Sequence, residues 1–242
     1  MTAALVQPAW SAPVNVIAGT TLRRQGVSDG VYSSLNLAAH VGDEPHCVAA
    51  NRQRLVDDCG LPAEPAWLMQ THSTIVATEN VPSDDCDAFI TQQKRRVCVV
   101  LTADCLPVIL VASDGSEVAT AHAGWRGLCA GILETTLEQM QASPQRLLAW
   151  LGPAISQPAF EVGDEVRQAF LAVDATAAEH FVENTRGRYQ ADLYGLARQR
   201  LKAAGVAEIT GGDHCTFTDP QRFFSYRRDG QCGRMATFAY IA

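Results

Sequence analysis

The chain has 242 residues, 47% hydrophobic and 19% charged, enough apolar material for a large buried core. A formal net charge of −7 excludes a global field that would attract nucleic acid or an anionic membrane. MTAALVQPAW has neither region of a signal peptide, and the longest apolar run, 97–112, is interrupted by Asp104 and Pro107. A cytoplasmic location without a membrane span is expected.

Eight cysteines (47, 59, 86, 98, 105, 129, 215 and 232) follow neither a CxxC pattern nor a small-scaffold disulfide spacing. In a cytoplasm they should be reduced, and Cys47, Cys59, Cys98 and Cys129 read as small buried apolar side chains.

The first strand candidate is Val14–Gly19. A loop carrying Arg23 and Arg24 follows, then Ser34-Leu35-Asn36-Leu37. The loop is either a solvated turn or, with Arg23 beside Asn36, an anion holder. Asp43-Glu44-Pro45 signals a helix start that continues through Val48, Asn51, Leu55 and Val56 to a stop at Gly60-Leu61-Pro62. The run 67–76, with Gln70 and His72, predicts a strand pair or one bent strand. A histidine there is commonly structural, because imidazole bonds as readily to backbone as to a metal. Asp84, Asp85 and Asp87 crowd around Cys86 before Ala88–Thr91. They form an exposed acidic loop or supply a carboxylate that orients a site histidine.

The centre of the chain is 97–140. Two β-branched runs, 107–111 and 118–122, flank Ser-Asp-Gly-Ser, and Asp-Gly there predicts a type I′ hairpin turn. Counting outward from Asp114-Gly115 pairs Pro107 with His122. Proline cannot donate to a ladder, so pairing should stop there and release Cys105 into a bend. After Ala-Gly-Trp-Arg-Gly, the residues Leu128, Ile132, Leu133, Leu137 and Met140 recur at near-helical intervals. A thiol (Cys105), an imidazole (His122), a carboxylate (Asp104), Arg126 and a helix start therefore converge.

Leu147–Leu151 reads as a short buried strand ending at Gly152-Pro153. Residues 161–166 lead into an alanine-rich helix, and 186–193 start another with a Leu193, Leu196, Ala197, Leu201 stripe. Arg222, Arg227, Arg228 and Arg234 cluster in the tail. This is a solvated edge or, with Ser225, a phosphate or carboxylate site. Met235–Ile241 is strand-like. Strands and helices interleave with no repeat or linker, so one compact domain over 1–242 is expected.

Composition and spacing leave a Cys/His site of open chemistry. Thr-Ala-Asp-Cys-Leu-Pro at 102–107, His-Ala-Gly-Trp-Arg-Gly at 122–127, Gln-Thr-His-Ser at 70–73, Ser-Leu-Asn-Leu at 34–37 and Ser-Tyr-Arg-Arg-Asp at 225–229 resemble the YfiH family. It is also called the laccase-domain, polyphenol-oxidase or peptidoglycan editing factor family. The likeness runs from about 14 to 240 and extends to Gly152–Ile155, Phe160–Gly163 and Cys215-Thr216. One position departs: Gln25 stands where the family has glycine.

The resemblance implies an α+β fold of layered mixed sheets flanked by helices, zinc, and a metal or catalytic set at His72, Cys105 and His122. Two imidazoles and a thiolate leave zinc a fourth position, as catalytic zinc requires. Asp87 or Asp104 would fix a histidine tautomer. Arg23, Asn36, Gln70, Arg126, Ser225, Arg227 and Arg228 are the candidates for substrate or phosphate, with Arg227 and Arg228 foremost.

Three activities attached to the family then compete. Purine nucleoside phosphorolysis with adenosine deamination needs zinc and an anchored phosphate. An amidase acting on UDP-linked muropeptide precursors would use Cys105 as nucleophile or the same zinc, and sequence does not separate these. A copper oxidase needs several coppers held mostly by imidazole, and six histidines are few, with His46 and His180 in polar settings. The reading favoured is a zinc enzyme acting on small purine nucleosides.

Overall fold

The computed structural model describes residues 5–81 and 85–242; Asp84 of the acidic loop lies outside the described residues. Four layers account for the burial pattern. Helix α1 (Pro45–Cys59) covers one face of a four-stranded antiparallel sheet, ordered β1 (Leu5–Val6), β2 (Val16–Thr21), β13 (Met235–Ile241) and β5 (Cys98–Thr102). Leu55 of the helix packs there with Val99, Leu101, Phe238 and Tyr240. The helix begins behind Glu44-Pro45, as expected, and ends on Gly60 at φ 61°, a conformation glycine adopts without cost.

The other face of that sheet meets a six-stranded mixed sheet. Its order is β12 (Glu208–Gly211), β8 (Leu147–Leu151), β6 (Leu106–Ala112), β7 (Val118–Ala123), β4 (Ala88–Thr91), β3 (Val76–Thr78). Phe89, Ile109, Val111, Val118 and Trp150 face Cys98, Met235 and Ala239 across the interlayer, with Phe223 and Phe224 wedged in. The outer face packs on α3 (Ile132–Gln139), α4 (Asp164–Val173) and α5 (Leu193–Ala203). All seven residues of β6 are buried, which is why that strand reads as a continuous apolar run rather than an alternating one. A small sheet of β10 (Phe181–Glu183), β11 (Tyr189–Ala191) and β9 (Glu161–Val162) lies beside α4.

The central hairpin pairs Pro107 with His122, as counting outward from the turn predicts. The turn itself differs. Gly115 has φ 72° but Asp114 does not have positive φ. Gly115 N–H bonds to the Ala112 carbonyl at 2.8 Å, and the Asp114 carboxylate accepts from Ser116 N–H at 3.1 Å. An aspartate side chain that caps its own loop replaces the type I′ geometry. Pairing also runs one residue beyond the proline, to Leu106–Ala123. His122 N–H turns the other way, to the Asp87 carbonyl at 2.7 Å, so this pair needs no N–H from Pro107.

Two further expectations change. The single helix after 124 is two, α2 (Trp125–Ala130) and α3, broken at Gly131 with φ 103°. Most of 67–75 is not strand. It is an irregular loop tied to β5 by Gln70, whose amide both donates to the Leu101 carbonyl (2.8 Å) and accepts its N–H (2.7 Å). No disulfide joins any of the eight cysteines, in line with the reduced state expected. Cys98 is buried, and Cys47, Cys59 and Cys129 are only partly so. No helix among the described residues is long and apolar enough to cross a membrane.

Candidate active site

The open end of the hairpin delivers Cys105 from the bend before β6 and His122 from β7, and the 70–75 loop lays His72 across them. Cys105 Sγ lies 3.7 Å from His72 Nε2. The two imidazole rings meet edge to face, with centroids 4.8 Å apart. Ligand atoms of all three residues lie within 4.8 Å of one another, the one such group of three or more among the described residues. His122 is buried, Cys105 half-buried and His72 exposed, so the cluster opens to solvent on the His72 side.

Asp87, with its side chain fully buried, organises both histidines. One carboxylate oxygen accepts from His122 Nδ1 at 2.7 Å and from His72 N–H at 3.0 Å. The other accepts from Ser73 N–H at 2.6 Å, Ser73 Oγ at 2.7 Å and Thr71 N–H at 3.2 Å. A carboxylate only accepts, so His122 Nδ1 carries the hydrogen and its Nε2 faces Cys105. His72 sits at φ 62°, a left-handed conformation held by the N–H groups of 71–73 converging on Asp87.

The charges follow. Burial alone would raise Asp87, but His122 and Ser73 bring its carboxyl down to about 2. Burial pushes the Cys105 thiol up; the His122 charge and hydrogen bonds from both histidines overcome it and bring it to about 6. Burial lowers His122, while Cys105 and Asp87 lift it to about 9. Both shifts favour the thiolate form of Cys105 and the protonated form of His122, with the Asp87 carboxylate behind them.

Two glycines let the site close. A Cβ on Gly124 would stand 2.6 Å from His72 Cδ2 and 3.0 Å from Cys105 Sγ, and one on Gly127 3.0 Å from the Ser73 carbonyl. Both glycines lie in the His-Ala-Gly-Trp-Arg-Gly stretch at 122–127, whose sequence alone does not assign them this role. Their i, i+3 spacing directly after a site histidine is the signal of close backbone approach.

Asp104 does not orient a histidine. Its carboxylate accepts from Thr216 Oγ1 (2.6 Å) and Arg227 N–H (2.6 Å), tying the bend before Cys105 to the C-terminal segment.

Most of the substrate candidates are structural. Asn36, fully buried, donates to Ala38 O and Asp43 and accepts from Ala38 and Arg234 N–H. Arg23 donates to Ser33 O and Pro220 O and stacks over Phe224 at 4.4 Å. Gln70 is spent on Leu101. Buried Ser225 caps the short helix α6 (Tyr226–Asp229) by accepting from Arg228 N–H. Arg228 commits every guanidinium hydrogen to Thr216 O, Phe217 O, Phe223 O and Asp229. A tail of clustered arginines therefore reads in three dimensions as carbonyl-capping struts. Arg227 is exposed but gives one nitrogen to Glu161 O at 2.8 Å. Arg126 is exposed, with its guanidinium 4.4 Å over the Trp125 ring. Gln25, where the family has glycine, takes φ 72°.

The model of the family described as multi-copper polyphenol oxidoreductase laccase matches residues 17–242. Over 240 residues the chain is 50% identical to the purine nucleoside phosphorylase YfiH of Escherichia coli, covering 98% of each. Over 243 residues it is 47% identical to a purine nucleoside phosphorylase of Haemophilus influenzae, again covering 98% of each. The crystal structure of the Neisseria meningitidis protein NMB0706 superposes with a TM-score of 0.94 at 45% identity, covering 98% of both chains. With likeness of this extent in sequence and fold, the chain belongs to the YfiH family, the family of the multi-copper polyphenol oxidoreductase laccase model.

Proposed function

We propose that this chain is a purine nucleoside phosphorylase whose reaction takes place at His72, Cys105 and His122 around one zinc ion. The observation that carries the reading is the open trio itself, in a chain half identical over its length to a relative named for that activity. The donor set fits zinc. A tetrahedral zinc places thiolate sulfur and imidazole nitrogen about 3.5 Å apart, and Sγ to Nε2 is 3.7 Å. Three protein ligands leave a coordination position open, and a cluster of several coppers would need more imidazole than this group holds. Bound zinc would supply Lewis acidity at that position.

The protein's own part is positional. Asp87 holds the hydrogen on His122 Nδ1 and the backbone of His72. Gly124 keeps the cluster uncrowded. In phosphorolysis a phosphate oxygen bonds to C1′ of the sugar as the C1′–N9 bond breaks. The electron pair leaves with the purine, which takes up a proton. In adenosine deamination, the second activity proposed for the site, the oxygen of water bonds to C6 of the purine, the C6–N bond breaks and ammonia leaves, giving inosine with no phosphate consumed.

One observation favours an amidase as second reading: His122 bridges the Cys105 thiolate and Asp87, the order of nucleophile, base and orienting carboxylate. The purified protein is assayed with inosine, with and without phosphate, and separately with a UDP-linked muropeptide. Hypoxanthine and ribose 1-phosphate in equal amounts, only when phosphate is present, support the proposal. Base release independent of phosphate contradicts phosphorolysis, and turnover of the muropeptide alone replaces it with the amidase.

A further inference from the structure

An open groove of about 570 Å³ lies against α1, the helix that covers the four-stranded sheet on the side away from the sheet carrying His122. Val48, Arg52 and Val56, spaced i, i+4, i+8 on one helix face, line it together with Ala39, Gln53 and Glu64. Val48 is buried and Val56 packs against the core cluster of Leu55 and Phe238, so this face offers an apolar floor.

Arg52, the cation among these lining residues, is half-buried and held from two sides. Its Nε donates to the Leu37 carbonyl at 3.0 Å, and its guanidinium lies 4.0 Å over the Trp67 ring. Trp67 is fixed in turn by its indole N–H, which donates to Glu64 at 3.0 Å. Among the described residues neither Nη1 nor Nη2 of Arg52 meets an acceptor, and no carboxylate pairs with it. Arg200 of α5, also partly buried, instead meets Glu134 at 2.7 Å. A partly dehydrated cation without a counter-ion is costly, and burial holds the Arg52 guanidinium below its ordinary value. The uncompensated charge also reaches His40, whose imidazole is pushed below its usual value by burial first, then by Arg234 and Arg52.

We propose that the groove binds a small organic carboxylate with an apolar body, the carboxylate on the Nη1 and Nη2 edge of Arg52 and the body along Val48 and Val56. A planar fork donates two parallel hydrogen bonds to a carboxylate, and stacking on Trp67 fixes the orientation of that fork beforehand. Glu64 in the same groove disfavours a second negative charge, so a monoanion is preferred to the phosphate dianion. The site is separate from the His72–Cys105–His122 cluster and does not rest on the proposed reaction.

The test uses the zinc-loaded protein and isocaproate as probe, with isohexanol as its uncharged counterpart and inorganic phosphate as the small anion. Calorimetric titration should give a Kd of about a millimolar for isocaproate, with isohexanol and phosphate at least about tenfold weaker. Arg52→Gln should weaken isocaproate binding by about tenfold or more, and Arg52→Lys, which keeps the charge and loses the fork, should fall between. Glu64→Gln should bind isocaproate at least as tightly as the wild type. Binding unchanged within twofold in Arg52→Gln, or phosphate binding as tightly as isocaproate, overturns the proposal. Should Arg52→Gln fail to fold by circular dichroism, the wild type decides through the His40 ring resonances, assigned with His40→Gln. A bound carboxylate neutralises Arg52 and should raise the His40 pKa, whereas isohexanol should leave it in place. A His40 pKa that isocaproate does not move overturns the site.

Discussion

At Asp87 two carboxylate oxygens receive five N–H or O–H groups at 3.2 Å or closer, two of them from the site histidines. Asparagine fits this pocket poorly in either orientation, because its NH2 must then face donors. Asp87→Asn should therefore lower zinc affinity about 10- to 100-fold, measured by competition with a chromophoric chelator. Its depressed carboxyl also carries a pH signature. The folded pKa lies below the ordinary 3.8, so the stabilisation is fully present above that value and is lost as pH falls through about 2. Acid unfolding followed by circular dichroism should lose this step in Asp87→Asn.

Cys105 yields two further expectations. In metal-free protein the rate of iodoacetamide alkylation at Cys105 should rise with a midpoint near 6, well below an ordinary thiol. Zinc should suppress it. Cys105→Ser should lose stoichiometric zinc, since a neutral hydroxyl is a poor ligand. Retained zinc with abolished activity would instead favour the nucleophile reading.

Among the elements, the start of α2 is the one whose backbone is most constrained by the site. Gly124→Ala places a methyl against His72 Cδ2 and Cys105 Sγ. The mutant should fold, with β6 and β7 intact, and bind zinc at least about tenfold more weakly. The same stretch shows what the sequence makes legible. The register Pro107–His122 follows from two apolar runs around one Asp-Gly, and so does the meeting of Cys105 with His122. The turn type does not, because Asp114 bonds to Ser116 rather than adopting positive φ. The 67–75 loop reads as strand because its residues are apolar and β-branched, yet Gln70 and Asp87 hold it by side-chain bonds that local periodicity cannot register. His72 in the site was legible only through the family motif. Arginine spacing pointed to an anion site in the tail, whereas carbonyl capping, a long-range property, consumes those donors.

For the molecule as a whole, the layering rests on contacts that sequence order hides. β2 pairs with β13, and Thr20 bonds to Thr237 at 2.6 Å across 217 positions. Interleaved strands and helices indicate mixed sheets, but not that α1 would cover the four-stranded sheet formed from both ends of the chain. The cluster draws on the hairpin of one sheet and on a loop tied to the other. Zinc should thus stabilise the whole fold. At a thousandfold excess over Kd the gain is about 4 kcal/mol, which raises Tm by roughly 10 °C for a chain of this size. Calorimetry before and after chelation checks it, and an unchanged Tm in both would speak against a metal centre.

The central claim, one zinc at His72, Cys105 and His122 supporting phosphorolysis, is tested most directly by titrating metal-free protein with zinc while following phosphate-dependent hypoxanthine release from inosine. Activity should rise linearly and saturate at one equivalent of zinc per chain. Full activity without metal, saturation only at several equivalents, or no release at any equivalence would contradict it.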